Sequence, residues 1–232
     1  PGQPFFAVYA PIAGHHPYEL PGGGPSPFGK ETDKQRYLSD LYRGDLALGR
    51  LLARLRQDGI LERTLVVVDG DHGEAFLQHP GNIAHSLHVY EENVHVPLYV
   101  VLPARLAPER QLVAPQLASL TDVAPTILDL LGVELPRGFR GRSLLAPLSR
   151  PQRFFADHAR TRLGLRHGRY KLLVERESNT ALLFDLRRDP DEQRDISARH
   201  PERVRRYRRD LERWARAQRR WLETAGTSLA KR

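Results

Sequence analysis

The order of apolar and polar positions divides this chain into segments of two periods. Pro4-Phe5-Phe6-Ala7-Val8-Tyr9 and Thr64 to Asp69 are short β-branched or aromatic runs, the pattern of strands. Between them, from about Lys34 to Asp58, Tyr37, Leu41, Leu48, Leu51, Leu52 and Leu55 recur at helical spacing, and Gly59 stands where a C-terminal cap belongs. Strand, helix and strand at these lengths predict a βαβ crossover and hence a parallel sheet. A third strand is expected at Val96 to Leu102, with Pro97 near its start, where a missing amide donor is tolerated. Thr121-Asp122 offers an N-cap, Pro125 falls in the first turn, and Ile127, Leu128, Leu130 and Leu131 supply an apolar face before Gly132, so a second helix is expected to pack on the sheet.

The texture changes after residue 149. Phe154 to Ala159 reads as a strand, and Thr161 to Leu165 and Tyr170 to Val174 flank Arg166-His167-Gly168-Arg169 as a hairpin. Leu182 to Leu186 is a further strand, closed by the turn Arg188-Asp189-Pro190-Asp191-Glu192. Short strands without intervening helices predict a small antiparallel unit. The last element, about Pro201 to Glu223, carries Val204, Leu211, Trp214, Trp221 and Leu222 on one side and arginines on the other, and docking against the body is expected. From Thr224 onwards fraying is expected. The division predicted is therefore residues 1–149, an α/β domain, and residues 150–232, a small α+β subdomain ending in an Arg-rich amphipathic helix.

At 232 residues the chain can bury a sizeable core, and its 40% hydrophobic content is that of a globular protein. No apolar run approaches the roughly 20 residues of a membrane span, and no basic segment followed by an apolar one opens the chain. Starting at Pro1 and entering a strand at once, the sequence reads as a stretch cut from a longer protein. Cysteine is absent, which excludes disulfides, zinc-thiolate sites and thiol nucleophiles within these residues. The net charge of +8 is an arginine matter, since only Lys30, Lys34, Lys171 and Lys231 are lysines; such a surface attracts anions without defining a function.

The chemistry concentrates where apolar runs stop. Val66-Val67-Val68-Asp69-Gly70-Asp71-His72-Gly73-Glu74 ends a strand at a carboxylate beside an imidazole, at the strand end where ligands collect in open α/β sheets. Asp71 and His72 suit two ligands of one divalent cation; the alternative is a polar exit in which Asp71 caps a turn and His72 faces water. His15 and His16 follow the first expected strand, and His85 and His88 follow the polar loop after His72, so three histidine-bearing loops stand at strand-associated positions.

In order along nearly the whole chain, these pieces resemble the sulfatase branch of the alkaline phosphatase superfamily. They are Pro4 to Val8, His15-His16-Pro17-Tyr18, Asp40 to Leu52 leading to Gly59, Thr64 to Val68, and Asp71-His72-Gly73-Glu74. They continue with His85, Tyr90-Glu91-Glu92, Val96-Pro97-Leu98, Thr121 to Leu130 and Gly141-Arg142-Ser143-Leu144. The last are Tyr170 to Leu173, Leu183-Phe184-Asp185-Leu186 and Asp189-Pro190-Asp191-Glu192. The resemblance implies an alkaline-phosphatase-like, mostly parallel sheet flanked by helices, followed by the antiparallel subdomain. It implies that Asp71 and His72 are metal ligands. His15 is implied as catalytic and in contact with the anion, His16 as a weaker substrate contact, and His85 as a second catalytic, substrate-binding group. Asp69 is expected to flank the site without binding metal, and His88, His95 and His158 receive no role.

One divalent ion is implied, calcium first, with manganese, zinc or magnesium as alternatives. In this family the nucleophile precedes the segment seen here, so none is expected in this chain; Ser149-Arg150-Pro151-Gln152-Arg153 mimics its setting in the wrong place and is read as chance. The expected partners are an anionic sulfated or phosphorylated ester and the missing N-terminal half of the catalytic domain, with no nucleic acid and any membrane anchor lying upstream. An extracytoplasmic location is implied by the resemblance alone. The leading expectation is sulfate ester hydrolysis, favoured by the Leu183-to-Leu186 and Asp189-to-Glu192 tail. The alternatives are phosphotransfer or phosphodiester or phosphonate hydrolysis within the superfamily (lipoteichoic-acid-synthase-like), and a non-catalytic module that binds a partner or a polyanion. The isolated chain is expected to bind metal weakly and to turn over poorly. The loops at residues 20–30 and 77–84 carry no readable specificity code.

Overall fold

A computed structural model describes residues 3–19, 23–103, 106, 117–146 and 150–229, with side chains of the final helix described through Glu223. The expected residues 20–22 of the Pro/Gly loop and Ser149 lie outside the described residues. Contacts group the chain into two compact units: residues 1–68 with 98–111, and residues 69–97 with 112–232.

The first unit is built on α1 (Asp33–Gln57). Thr32 begins it with a reciprocal capping box, in which the Gln35 amide donates to Thr32 Oγ1 (3.2 Å) and the Thr32 amide to Gln35 Oε1 (2.9 Å). Gly59 at φ 65° ends it as expected. Its fully buried residues are polar. Ser39 donates to the Gly29 carbonyl and accepts from the Phe28 amide, and Asp40 accepts from the Gly14 amide at 2.7 Å, so α1 pins the preceding loops. β1 (Val66–Asp69) and β4 (Leu98–Val101) pair as a two-stranded sheet, with Pro97 just outside β4. The strand expected at Pro4 to Tyr9 does not form: Phe5, Phe6 and Val8 are 65, 82 and 77% exposed. β propensity creates a strand only when a neighbour accepts its ladder hydrogen bonds, and no described strand pairs with this segment.

The second unit holds the core. β2 (Ala75–Phe76) and β3 (Ile83–Ala84) make a small antiparallel pair, followed by the single-turn α2 (Glu91–Val94). α3 (Val123–Leu130) follows a 3-10 turn at Leu120–Asp122, in which Ser119 and Asp122 form a capping box. Four strands, β5 (Gln152–Asp157), β6 (Thr161–His167), β7 (Tyr170–Glu175) and β8 (Thr180–Asp185), form an antiparallel meander in chain order, and α4 (Pro201–Leu229) packs on it, running past the expected end at Glu223. The hairpin turn is tighter than the four residues expected, since His167 already pairs with Tyr170.

Alternation explains both faces of this sheet. Leu163, Leu165, Leu172, Val174 and Leu183 face Tyr207 and Leu211 of α4, with Val204 and Trp214 packed alongside. Leu173 and Phe184 point the other way, against Val89, Tyr90 and Val94. With both faces covered, β7 reads as a continuous apolar run, Leu172-Leu173-Val174. Gly164 is required because a Cβ there would lie 1.8 Å from the Phe154 ring. Among the described residues no helix is long and apolar enough to cross a membrane.

Candidate active site

Each predicted site residue sits on a loop held by buried polar contacts. In the first unit, His15 and His16 are exposed. His15 Nδ1 donates to the His16 carbonyl at 2.7 Å, which leaves Nε2 as the outward lone pair of the neutral ring. The loop is anchored on either side. Gly14, at φ 88°, donates to buried Asp40, while Tyr18 is buried edge-on against Tyr37.

The second unit carries Asp71, His72 and His85. Gly73 sets the loop, since its amide donates to the Asn93 carbonyl at 2.9 Å and a Cβ would meet the Glu92 carbonyl oxygen at 2.1 Å. The His72 amide donates to Asp71 Oδ1 (2.9 Å), and His72 Nδ1 lies 2.9 Å from the Gly73 carbonyl oxygen. A carbonyl only accepts, so Nδ1 bears a proton, and in the neutral ring Nε2 presents a lone pair. That Nε2 is 3.5 Å from Asp71 Oδ2, and the Asp71 side chain is 88% exposed. Two electron-rich atoms facing one another at that separation make a poor hydrogen bond but a suitable pair of donors for one cation. The donor chemistry thus fits the implied metal.

Glu74 is the residue that sequence reasoning missed. The β2–β3 register pairs Ala75 with Ala84, which sets Glu74 beside His85 just outside the ladder. The Glu74 side chain is 6% exposed, and its Oε2 accepts from His85 Nδ1 at 2.9 Å. The His85 ring stacks on His72 with centroids 3.7 Å apart. The donor atoms of His72, Glu74 and His85 all lie within 4.8 Å of one another, a second grouping that could hold a cation. Glu74 and His85 already satisfy each other, and the carboxylate fixes the orientation of the His85 ring. The available signal was a glutamate two residues after His72, but only the turn between β2 and β3 makes it face His85.

Behind this loop lies a network of buried polar groups. His79 Nδ1 donates to Glu92 Oε1 (2.7 Å), Asn82 Nδ2 donates to both Glu92 Oε1 and Asn93 Oδ1 (2.8 Å each), and His79 stacks flat on Tyr90 at 3.7 Å. Burial works to raise the Glu92 carboxyl, but the bonds from His79, its own backbone and Asn82 outweigh it and hold the group below the usual range. Burial, followed by the Glu192 and Glu92 carboxylates, pushes the Tyr90 phenol up. Lys171, fully buried on β7, reaches Glu91 at 2.9 Å and Glu192 at 3.0 Å, and Arg166 adds a third cation contact at 2.8 Å to Glu91. Burial raises the Glu192 carboxyl against the pull of Lys171. The Tyr90-Glu91-Glu92 motif is therefore the joint between the site loop and the four-stranded sheet.

The sulfatase family profile matches residues 1–133, and a profile described as N-sulphoglucosamine sulphohydrolase, C-terminal, matches residues 85–213. Arylsulfatase K of Bos taurus is 32% identical over 199 residues, 75% of this chain and 36% of that protein. Arylsulfatase K of Mus musculus is 33% identical over 178 residues, 68% of this chain and 31% of that protein. The chain thus spans about a third of the length of these curated relatives. A solved structure of BT4656 in complex with its substrate D-glucosamine-2-N,6-O-disulfate shares the fold, with a TM-score of 0.65, 23% identity, and coverage of 83% of this chain and 41% of that one. BT1596, a 2-O GAG sulfatase, does so with a TM-score of 0.68, 22% identity, and coverage of 81% and 43%.

Proposed function

This chain belongs to the sulfatase family, and we propose that it supplies part of the active site of a metal-dependent hydrolase of sulfate esters. The observation that carries this reading is the placement of His72 Nε2 3.5 Å from Asp71 Oδ2. These two residues hold one divalent cation, for which calcium is the first candidate and manganese, zinc and magnesium the others. When bound, the ion supplies Lewis-acid stabilisation of charge on the ester. Glu74 holds His85 through Nδ1, and the imidazolium form, stabilised by that carboxylate, can donate its Nε2 proton to the leaving oxygen and become the neutral ring. His15, whose Nδ1 is likewise engaged, is an anion contact in this reading, with His16 beside it as a weaker one.

The nucleophile and further metal-binding acids come from additional residues of the family's catalytic domain. The exposed Phe5, Phe6 and Val8, and the exposed side chains of Tyr99 and Val101 on β4, are the surface those residues would cover. In that domain β1 and β4 join a mostly parallel sheet within residues 1–149, and residues 150–232 form the buttressing subdomain. A sulfatase reading also favours an extracytoplasmic setting.

The decisive experiment uses the polypeptide that carries this chain together with its nucleophile, assayed on 4-nitrophenyl sulfate and on 4-nitrophenyl phosphate. Asp71→Ala and His72→Ala should each lower kcat/KM for the sulfate at least about 100-fold, with loss of tight divalent-cation binding in calorimetry. Glu74→Gln should lower kcat more than it raises KM. Sulfate hydrolysis that survives both Asp71→Ala and His72→Ala would overturn the reading, and a preference for the phosphate ester would reassign the chemistry.

A further inference from the structure

Asn93, on α2 and 3% exposed, is bonded to both of the loops that carry the site in the second unit. Its carbonyl oxygen accepts from the Gly73 amide at 2.9 Å, and its side-chain Nδ2 donates to the Ala84 carbonyl at 3.0 Å. Its Oδ1 accepts from Asn82 Nδ2 at 2.8 Å, so both ends of the side-chain amide are engaged. A peptide group is planar, and holding one of its atoms holds the whole plane. The Gly73 amide belongs to the plane that follows His72, and the Ala84 carbonyl to the plane that leads into His85. Asn93 therefore grips the main chain directly beside the two imidazoles, whose rings stack 3.7 Å apart.

The grip on Ala84 opposes strain. Ala84 lies at φ 57°, in the left-handed region, which is costly for a residue with a Cβ. β3 is two residues long, so its ladder with β2 offers little else to resist relaxation. The base from which Asn93 acts is fixed by contrast. Glu91 is clamped by Lys171 and Arg166, and Val94 packs against Val89, Leu173 and Phe184. Glu74 does not duplicate this hold, because it grips the His85 ring at Nδ1, whereas the strain acts on the main chain that carries the ring.

We propose that Asn93 is a positioning residue, which fixes the His85 ring against His72 through the Ala84–His85 peptide plane without itself touching substrate. Its importance for turnover rests on the reading of His72 and His85 as site residues. Asn93 holds one loop by its main chain and the other by its side chain, so a change of side chain separates the two. Asn93→Ala keeps the carbonyl that Gly73 bonds, and with it the Asp71-His72 loop, and releases Ala84 alone.

Two measurements test this. In the full 232-residue chain, proton NMR of the imidazole rings reads the stack without any turnover. Asn93→Ala should move the His85 and His72 ring signals and leave that of His158 in place. In the polypeptide that includes the nucleophile, the same change should lower kcat for 4-nitrophenyl sulfate about tenfold or more, with KM and the calcium Kd within about threefold of the wild type. Adding Ala84→Gly, which removes the cost of the left-handed conformation, should bring kcat back by about threefold. If Asn93→Ala melts below the assay temperature, Asn93→Ser should show the same split at a smaller size, about threefold in kcat. Unmoved His85 signals would overturn the proposal. So would a parallel loss of kcat and calcium affinity, which is what a merely structural role gives, or a double variant no faster than Asn93→Ala. Moved signals with unchanged kcat would leave the positioning in place and overturn the catalytic role of His85, so the two readings fail separately.

Discussion

In the first unit Phe5, Phe6, Val8 and Ile12 are 65 to 82% exposed, while in the second Leu165, Leu172, Leu183 and Leu211 are at 0%. The difference follows from how each kind of sheet closes. The meander β5 to β8 joins neighbours by short turns, so its ladders and both its faces are completed by residues close in sequence and by α4. Strands β1 (Val66–Asp69) and β4 (Leu98–Val101) instead pair across a long intervening segment, without turn-joined neighbours. β1 and β4 have only each other among the described strands, and Tyr99 and Val101 stay open. The proposed chemistry is likewise divided, with His15 in the unit with the open apolar surface and Asp71, His72 and His85 on the loop bolted to the meander.

Three measurements press on that contrast. Lys171→Met should be the most damaging, because it strands the buried Glu192 carboxylate and leaves Glu91 to Arg166; urea denaturation should show a loss of about 3–5 kcal/mol. A loss below about 1 kcal/mol would mean that the buried charges are not the joint described. Leu211→Ala should cost about 2–5 kcal/mol by opening the core under α4, whereas Leu51→Ala on the exposed side of α1 should stay within about 0.5 kcal/mol. Equal effects would erase the distinction between a closed and an open unit.

The smallest effect concerns His88, half-buried beside Arg162. Burial, and then the Arg162 charge, hold its imidazole below the ordinary histidine value. A folded value below the unfolded one means that the neutral ring favours folding above about pH 6.5, and that this contribution is lost as pH falls through the folded value. The stability advantage of the wild type over His88→Gln, read by denaturation from pH 7.5 to 5, should therefore shrink with acidification. Parallel curves would show that His88 is solvated.

Much of this architecture was legible in advance. The spacing from Tyr37 to Leu55 and Gly59 marked α1, and the short runs after residue 150 marked four strands to within two residues or so. Two readings failed for physical reasons. Pro4 to Tyr9 has strand composition but no partner, and the segment after His72, read as a polar loop, folds into the β2–β3 pair and a buried network centred on Glu92. A polar segment can also be an interior one: Asn82 and His79 are buried because each finds a hydrogen-bonding partner.

By itself the sequence determined which segments are helical or extended, since side-chain direction repeats every 3.6 or 2 residues and is written in local order. It also determined the family, through Asp71-His72-Gly73 and its ordered companions. Only the tertiary structure decided that Glu74 meets His85, that His72 offers Nε2 to Asp71, and that Lys171 of β7 clamps Glu91 behind the site. Those pairings depend on the register of one short turn and on burial of charges up to 101 positions apart, from Glu91 to Glu192. Such separations leave no periodic trace, because contact at long range is set by packing and not by the spacing of neighbours.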